Sequence, residues 1–176
     1  IIYYYFYMKF LIRKYLPEFV YGSVDGVITT VAIITAAIGA GFSASVIFIL
    51  GMANVLADGF SMGSSEYLSS VSEKNLNNED HDNTPLKKGL ATFVSFVVVG
   101  LIPVIPFLIS IIDSRFADFD IFMSLTAAFL CFILIGYIGA RVTKTSRVKN
   151  ILRTVFVGSL AAFISFIVGY LLRNIA

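Results

Sequence analysis

The sequence contains little of what a soluble, metal-binding or disulfide-bonded domain usually has. Its 176 residues include one cysteine, one histidine and no tryptophan, and only 14% are charged. One cysteine excludes an internal disulfide, and a single thiol does not make a zinc site, so we interpret Cys131 as a small buried hydrophobe. Soluble domains are nearer a quarter charged, so the low charge content argues against a soluble fold.

The composition also excludes a nucleic-acid-binding protein. The net charge is only +2, and no basic cluster is interleaved with aromatic residues that could stack on bases. Hydrophobic residues make up 58% of the chain, and the mean hydropathy is +0.89. These values indicate a protein whose main partner is the lipid bilayer.

Five apolar windows are long enough to cross a membrane, since about 20 apolar residues match a hydrocarbon core of roughly 30 Å. They are residues 20–41, 46–68, 89–112, 121–143 and 151–172. Pro103 and Pro106 should kink or break the third window because proline lacks the backbone N–H that a helix needs. The sequence therefore predicts an all-α polytopic membrane protein with five transmembrane helices.

The chain is expected to form one transmembrane domain, residues 20–176, preceded by a short N-terminal segment. Residues 1–19 mix tyrosines with basic residues, which favours an amphipathic segment along the headgroups. Residues 1–7 precede Met8, an ordinary start, and are candidates for a non-native extension. A hydrophilic loop, residues 74–88, separates the second span from the third.

Lysines and arginines are unevenly distributed between the two sides of the predicted bundle. Eleven of the thirteen would share the side of the N-terminus: Lys9, Arg13, Lys14, Lys74, Lys87, Lys88, Arg141, Lys144, Arg147, Lys149 and Arg153. Only Arg115 and Arg173 fall on the other side. The positive-inside rule then predicts a cytoplasmic N-terminus and a C-terminus on the opposite side.

The second span carries polar side chains where lipid-facing residues would be apolar. At about 100° per residue, an arc of roughly 120° collects seven of them. They are Asn54, Asp58, Met62, Ser65, Glu66, Ser69 and Glu73. Charged groups in hydrocarbon are costly, so residues of this kind usually face a bundle interior or a watery path and mark ion routes.

The first span adds a second carboxylate, Asp25, between small residues. Gly22 and Gly26 are four apart, as are Gly59 and Gly63 of the second span. Small residues at this spacing let helices approach closely in lipid. We therefore expect the first two spans to pack through these glycines and to bring Asp25 towards Asp58.

The donor atoms of the polar arc indicate a transition metal. Asp58 and Glu66 offer oxygen ligands and Met62 a soft sulfur, which together favour Fe(II) or Mn(II) over Ca(II) or Mg(II). Protons would compete with the metal for the carboxylates, which is the basis of exchange. Two alternatives stay open: Met62 could simply fill packing space, and Asn54 could be a hydrogen-bonding contact between helices.

Acidic residues outside the spans give weaker signals. Glu79, Asp80, His81 and Asp82 in the hydrophilic loop could ligate a metal, but we favour solvation of a flexible turn because these residues lie on no predictable scaffold. The far-side acids Asp113, Asp118 and Asp120 are interpreted as loop solvation, with attraction of departing cations as the alternative.

Two segments resemble a known family. YGSVDGVITT in the first span and ANVLADGFSMGSSEYLSSVSEKN in the second resemble the vacuolar iron transporter family, which exports ferrous iron or manganese from the cytosol. The resemblance implies five spans per subunit and a homodimer with the metal path between subunits. It also implies metal contact by Asp25, Asn54, Asp58 and Met62, where some relatives have glutamate in place of Asn54.

The hydrophilic loop departs from the longer members of that family. Plant-type members insert a helical, glutamate-rich domain between spans two and three, whereas this chain has EKNLNNEDHDNTPLKK. The resemblance is therefore to the short form. Glu66 and Glu73 lie close to the position at which longer members insert that domain, and they are candidates for the metal entrance.

The expected function is a secondary transporter that exports Fe(II) or Mn(II) by proton antiport, without enzymatic activity or a resident cofactor. One alternative is an intramembrane aspartyl protease using Asp25 and Asp58, although the Gly-x-Gly-Asp pattern of that class is missing. Another is a non-transporting membrane subunit whose polar arc serves assembly. The compact form and the absence of a signal-peptide pattern favour a bacterial inner membrane over an organelle membrane such as the vacuole.

Overall fold

The computed structural model describes residues 2–77 and 84–175, and the side chains of residues 15–76 and 84–175. The described helices are α1 (Ile2–Ala40), α2 (Ala44–Asn77), α3 (Thr84–Gly100), α4 (Ile105–Ile112), α5 (Asp120–Thr143) and α6 (Arg147–Leu172), with a short 3₁₀ turn at Ser114–Phe116. Over these residues the predicted all-α fold is confirmed.

Within the described residues, four segments are long and apolar enough to cross a membrane: Tyr15–Ala40, Ala44–Leu76, Asp120–Thr143 and Arg147–Leu172. A fifth crossing is provided by α3 and α4 if this pair, bent by 46°, forms one span. The bend lies at Pro103 and Pro106, where the sequence predicted a kink or break. Proline has no backbone N–H and therefore cannot donate the hydrogen bond that would continue the helix. The predicted bend in the third span is confirmed.

The turn between α1 and α2 is short and fixed by backbone hydrogen bonds. Gly41 has a φ of +79°, a conformation that glycine adopts without steric cost. Its N–H donates to the Ile38 carbonyl at 3.0 Å, and the Phe42 N–H donates to the Ala37 carbonyl at 3.0 Å. This pair of bonds is a Schellman motif, and it places α2 antiparallel to α1 immediately after the turn.

Close packing of the first three helices depends on glycine, but not between the predicted partners. A Cβ at Gly26 would lie 2.6 Å from the Phe96 carbonyl oxygen, and one at Gly63 would lie 2.8 Å from the Gly89 carbonyl oxygen. Both glycine pairs therefore pack on α3, and the prediction that they join spans one and two is wrong. The spacing identified faces that allow close approach, but it carried no information on which helix would fill them.

Helix α1 is the centre of the bundle. At Val27 and Val31, α1 packs on α5 in a core cluster that also contains Ala128, Cys131, Phe132 and Ile135. This confirms Cys131 as a buried hydrophobe. At Ile34 and Ala37, α1 packs on α2 and the α3–α4 segment in a second cluster that also contains Ile47, Val55, Val104 and Phe107. Large apolar residues of α6 such as Phe156 and Phe163 are exposed, as expected of a helix facing lipid.

The acids on the far side do not all behave as solvated loop residues. Asp118 is exposed, and the Arg115 guanidinium, hydrogen-bonded to Asp113, holds the pKa of the Asp113 carboxyl below its usual value. Asp120 is buried; it accepts a hydrogen bond from Ser110 Oγ at 3.0 Å and one from the Ile121 N–H at 2.6 Å.

The interpretation of Asp120 as loop solvation is therefore wrong. Asp120 begins α5, and the free N–H groups of a helix N-terminus favour a carboxylate there. The contact with Ser110 ties α5 to α4. The distance of ten residues between Asp120 and Ser110 hid this contact from sequence reasoning.

The glycine contacts predict the effect of adding one methyl group. Gly26→Ala should lower the thermal unfolding temperature in detergent, because the new Cβ meets the Phe96 backbone and such overpacking costs about 1–3 kcal/mol. Gly139→Ala is the matched control, since its Cβ would meet its nearest atoms at 3.7 Å and alanine favours helix. Equal shifts in the two variants would contradict the packing described for α1 and α3.

Candidate metal-binding site

Four polar residues lie at every fourth position along α2 and so form a ladder on one side of the helix. They are Asn54, Asp58, Met62 and Glu66, and all four are half-buried. Gly59 and Gly63, each one residue further along, face α3. The ladder therefore lies beside the α2–α3 contact and not within it.

Asp25 of α1 lies close enough to Asp58 for the two carboxyl groups to interact electrostatically. Asp25 is half-buried, like Asp58. The expected approach of these two acids is therefore present, although the glycine pairs of the two helices contact α3 and not each other. Two like charges in a partly dry setting repel each other, and a bound divalent cation relieves that repulsion.

Asn54 brings an unsatisfied amide to the same ladder. Its Nδ2 atom is buried and has no hydrogen-bond partner in the described part of the chain. A buried polar group without a partner is costly, and the two ends of an amide are interchangeable by a flip of the side chain. The flipped amide would present Oδ1 in place of Nδ2, so this position fits an oxygen ligand for a cation.

Glu66 and Glu73 lie where α2 continues beyond the apolar part of the second span. Glu66 accepts a hydrogen bond from Ser70 Oγ at 3.0 Å, while Glu73 is exposed. Helix α2 extends to Asn77, so both acids stand on a regular helix at the end of the ladder. The loop residues Glu79, Asp80, His81 and Asp82 lie outside the described residues.

The described residues contain no group of three or more histidine, cysteine, aspartate or glutamate side chains that could hold a metal. The ladder and Asp25 of α1 together offer a different donor set: two carboxylates from Asp25 and Asp58, the Asn54 amide and the Met62 thioether. Two carboxylates balance the charge of one divalent ion, and weak neutral ligands allow the ion to leave. This donor set fits passage of a metal better than permanent storage.

Sequence reasoning missed Glu18, which it placed in the interfacial N-terminal segment without a role. Only 8% of this residue is exposed. Its Oε1 atom lies 3.7 Å from Lys88 Nζ, and its Oε2 atom has no hydrogen-bond partner among the residues that the structure describes. The available signal was its position seven residues before Asp25, two helical turns along roughly the same face.

Three curated relatives, each named vacuolar iron transporter, are similar to this chain. The protein from Plasmodium falciparum (isolate 3D7) is 24% identical over 90% of this chain and 82% of its own length. The protein from Toxoplasma gondii (strain ATCC 50861 / VEG) is 42% identical over 60 residues, 34% of this chain and 20% of its own length. The protein from Plasmodium berghei (strain Anka) is 38% identical over 61 residues, 35% of this chain and 22% of its own length.

The first of these alignments extends over 230 residues, more than the 176 of this chain. It therefore includes positions of the relative that have no counterpart here, as expected of a short form. The sequence model of the VIT family matches this chain in two segments, residues 16–83 and 73–170. These segments meet in the hydrophilic loop and together extend over most of the sequence, so the chain belongs to the VIT family.

Proposed function

We propose that this protein exports Fe(II) or Mn(II) from the cytosol by proton antiport, along a path formed where two copies of the chain meet. Family membership and the membrane-spanning helices make it a membrane transporter of metal ions. The observation that carries the finer proposal is that Asp25 of α1 lies within electrostatic range of Asp58 of α2. Met62 lies one helical turn from Asp58 and adds a sulfur donor.

The donor types favour a first-row transition metal. Calcium and magnesium prefer oxygen ligands alone, whereas a thioether is useful to softer ions. The names of the three relatives specify iron, which supports Fe(II) as the first candidate. Mn(II) is the second candidate because carboxylate and amide oxygens suit it well.

A second copy of the chain would complete the coordination. Small residues occur at every fourth position next to the ladder and are exposed in the single chain: Ala53, Ala57, Ser61, Ser65 and Ser69. Small residues at this spacing permit close approach of helices in lipid. A two-fold axis along this face would bring two copies of Asp25 and Asp58 together around one path.

The proposed orientation has basic residues at the cytosolic end. Lys88 lies next to Glu18, near the start of the first span. At the other end, Arg173 packs beside the position of Gly41, where an added Cβ would lie 3.2 Å from its Nε atom. The support for a cytosolic N-terminus is the count of basic residues, since eleven of the thirteen lysines and arginines fall on the side of the N-terminus.

The relatives change which membrane we propose for this protein. The relatives are named vacuolar iron transporters and come from Plasmodium and Toxoplasma, which favours an organelle membrane over the bacterial inner membrane expected from sequence. The protease alternative gains no support, because the similar proteins are named as transporters and not as peptidases.

Asp58→Asn should reduce the initial rate of Fe(II) transport into proteoliposomes by at least about tenfold, equivalent to ~1.4 kcal/mol. The reason is that the substitution removes one of the two carboxylates that are proposed to bind the ion. Met62→Leu keeps the side-chain volume and should reduce the rate less, by removing only the sulfur. A metal-sensitive dye inside the vesicles measures the rate. Asp118→Asn is the matched control, since it neutralises an exposed acid away from the ladder. Wild-type rates in folded Asp58→Asn protein would contradict the site.

A cysteine at Ser61 should form a disulfide between two copies after mild oxidation in membranes, because this position faces the proposed two-fold axis. The background is Cys131→Ala, which removes the native thiol. The matched control is Ser159→Cys on the exposed side of α6, which should remain monomeric on a non-reducing gel. Equal cross-linking at both positions would contradict the proposed interface.

A further inference from the structure

The end of α5 and the start of α6 carry a cluster of positive charge. Residues 141–153 contain no acidic residue and five basic ones: Arg141, Lys144, Arg147, Lys149 and Arg153. All five are exposed. Like charges that lie close together repel each other, and neither the ladder on α2 nor Asp25 uses any of these residues.

Tyr137 of α5 brings two of these arginines together. Arg141 Nε donates a hydrogen bond to the Tyr137 hydroxyl at 3.2 Å. The guanidinium carbon of Arg141 lies 5.6 Å from the centroid of the Tyr137 ring, and that of Arg147 lies 5.5 Å from it. A guanidinium group at this distance is attracted by the electrons of the ring. One half-buried ring therefore holds two groups of the same charge side by side.

No carboxylate compensates these two arginines among the residues that the structure describes. The ion pairs found there join Lys88 to Glu18 and Arg115 to Asp113. An arginine presents five N–H donors in a planar fork, and the bond to Tyr137 occupies only one of those of Arg141. Forks of this kind match the oxygens of a phosphate group, to which they donate two parallel hydrogen bonds.

The arginine pair lies at the end of a helix face that is turned towards lipid. Leu130 and Leu134 precede Tyr137 and Arg141 on α5 at spacings of three or four residues, so the four share one face. Both leucines are more than half exposed, as is Leu152 on the neighbouring helix α6. Apolar side chains exposed on membrane-spanning helices are covered by acyl chains, and tyrosine is typical of the membrane–water boundary.

This position favours a phosphate that belongs to a lipid. A headgroup beside Arg141 and Arg147 would have its acyl chains along the exposed leucines, whereas a free anion would gain nothing from them. In the proposed orientation this end of α5 lies in the cytosolic leaflet, which carries anionic lipids. A phosphate monoester has a charge of about −1.5 to −2 at neutral pH, which balances two guanidinium groups. The proposed contact between two copies of the chain is on α2, not on α5 or α6.

We propose that Arg141 and Arg147 bind the phosphate headgroup of an anionic phospholipid in the cytosolic leaflet. Tyr137 is a positioning residue, because its ring keeps the two guanidinium groups together. The acyl chains lie along the exposed leucines of α5 and α6. This lipid site is separate from the metal path, and it goes beyond the transport function because it does not depend on which ion is carried.

The test titrates the purified full-length chain with phosphatidic acid and follows the lipid-bound protein by native mass spectrometry. Wild type should bind one phosphatidic acid per chain more tightly than phosphatidylcholine, whose choline group cancels the phosphate charge. The double variant Arg141→Gln with Arg147→Gln should weaken binding of phosphatidic acid by at least about tenfold, equivalent to ~1.4 kcal/mol.

The matched control is Lys149→Gln with Arg153→Gln. It removes the same charge from the same stretch but leaves both arginines beside Tyr137 in place. Binding of phosphatidic acid to this control should stay within about twofold of wild type, because single exposed charges contribute little. An equal loss in the control and in the arginine variant would show general attraction to a basic surface, and would overturn the site.

A second double variant, Arg141→Lys with Arg147→Lys, keeps the charge and removes the planar forks. It should bind phosphatidic acid at least about threefold more weakly than wild type, because lysine cannot donate two parallel hydrogen bonds to one phosphate. Wild-type affinity in this variant would overturn the proposed geometry. If the glutamine variant does not fold, the lysine variant decides in the same way.

Two further outcomes concern the source of the phosphate. Equal affinity of wild type for phosphatidic acid and phosphatidylcholine would overturn the preference for an anionic lipid. Inorganic phosphate at the concentration of the lipid should leave the lipid bound, and its displacement would assign the site to a free anion. Fe(II) flux is not part of the readout, so failure of the lipid site leaves the proposed transport function intact.

Discussion

Close contact of α1 and α2 with a common neighbour, α3, is the constraint on which the site depends. Glycines at the contacts remove the side chains that would separate these helices, and Gly26 and Gly63 meet the α3 backbone directly. Asp25 and Asp58, on two different helices, are thereby held within electrostatic reach. Without this packing, each acid would be a single charge beside lipid, which is costly and of little use for binding.

The same packing divides the bundle into two polar regions with different chemistry. The ladder on α2 combines carboxylates with an amide and a thioether, a set that suits a divalent ion. The α1–α3 contact holds one carboxylate, Glu18, which pairs with Lys88, together with the buried hydroxyl groups of Thr30 and Thr92.

Sequence reasoning predicted the helices and the ladder because both depend on local patterns. Apolar windows gave the spans, proline gave the bend at Pro103, and fourfold spacing grouped Asn54, Asp58 and Met62 on one side of α2. It failed where the partner was distant in sequence. The glycine pairs were assigned to the wrong helix, Asp120 was separated from Ser110, and Glu18 from Lys88, since residue spacing shows which face is special but not what meets it.

The central claim is that Asp25 and Asp58 bind one metal ion jointly. Binding of Mn(II), followed by electron paramagnetic resonance on purified protein, tests it through Asp25→Asn, Asp58→Asn and the double variant. Residues that act on one ion are non-additive, so each single variant should lose nearly as much affinity as the double variant. Losses that simply add, or unchanged binding in either single variant, would contradict the account.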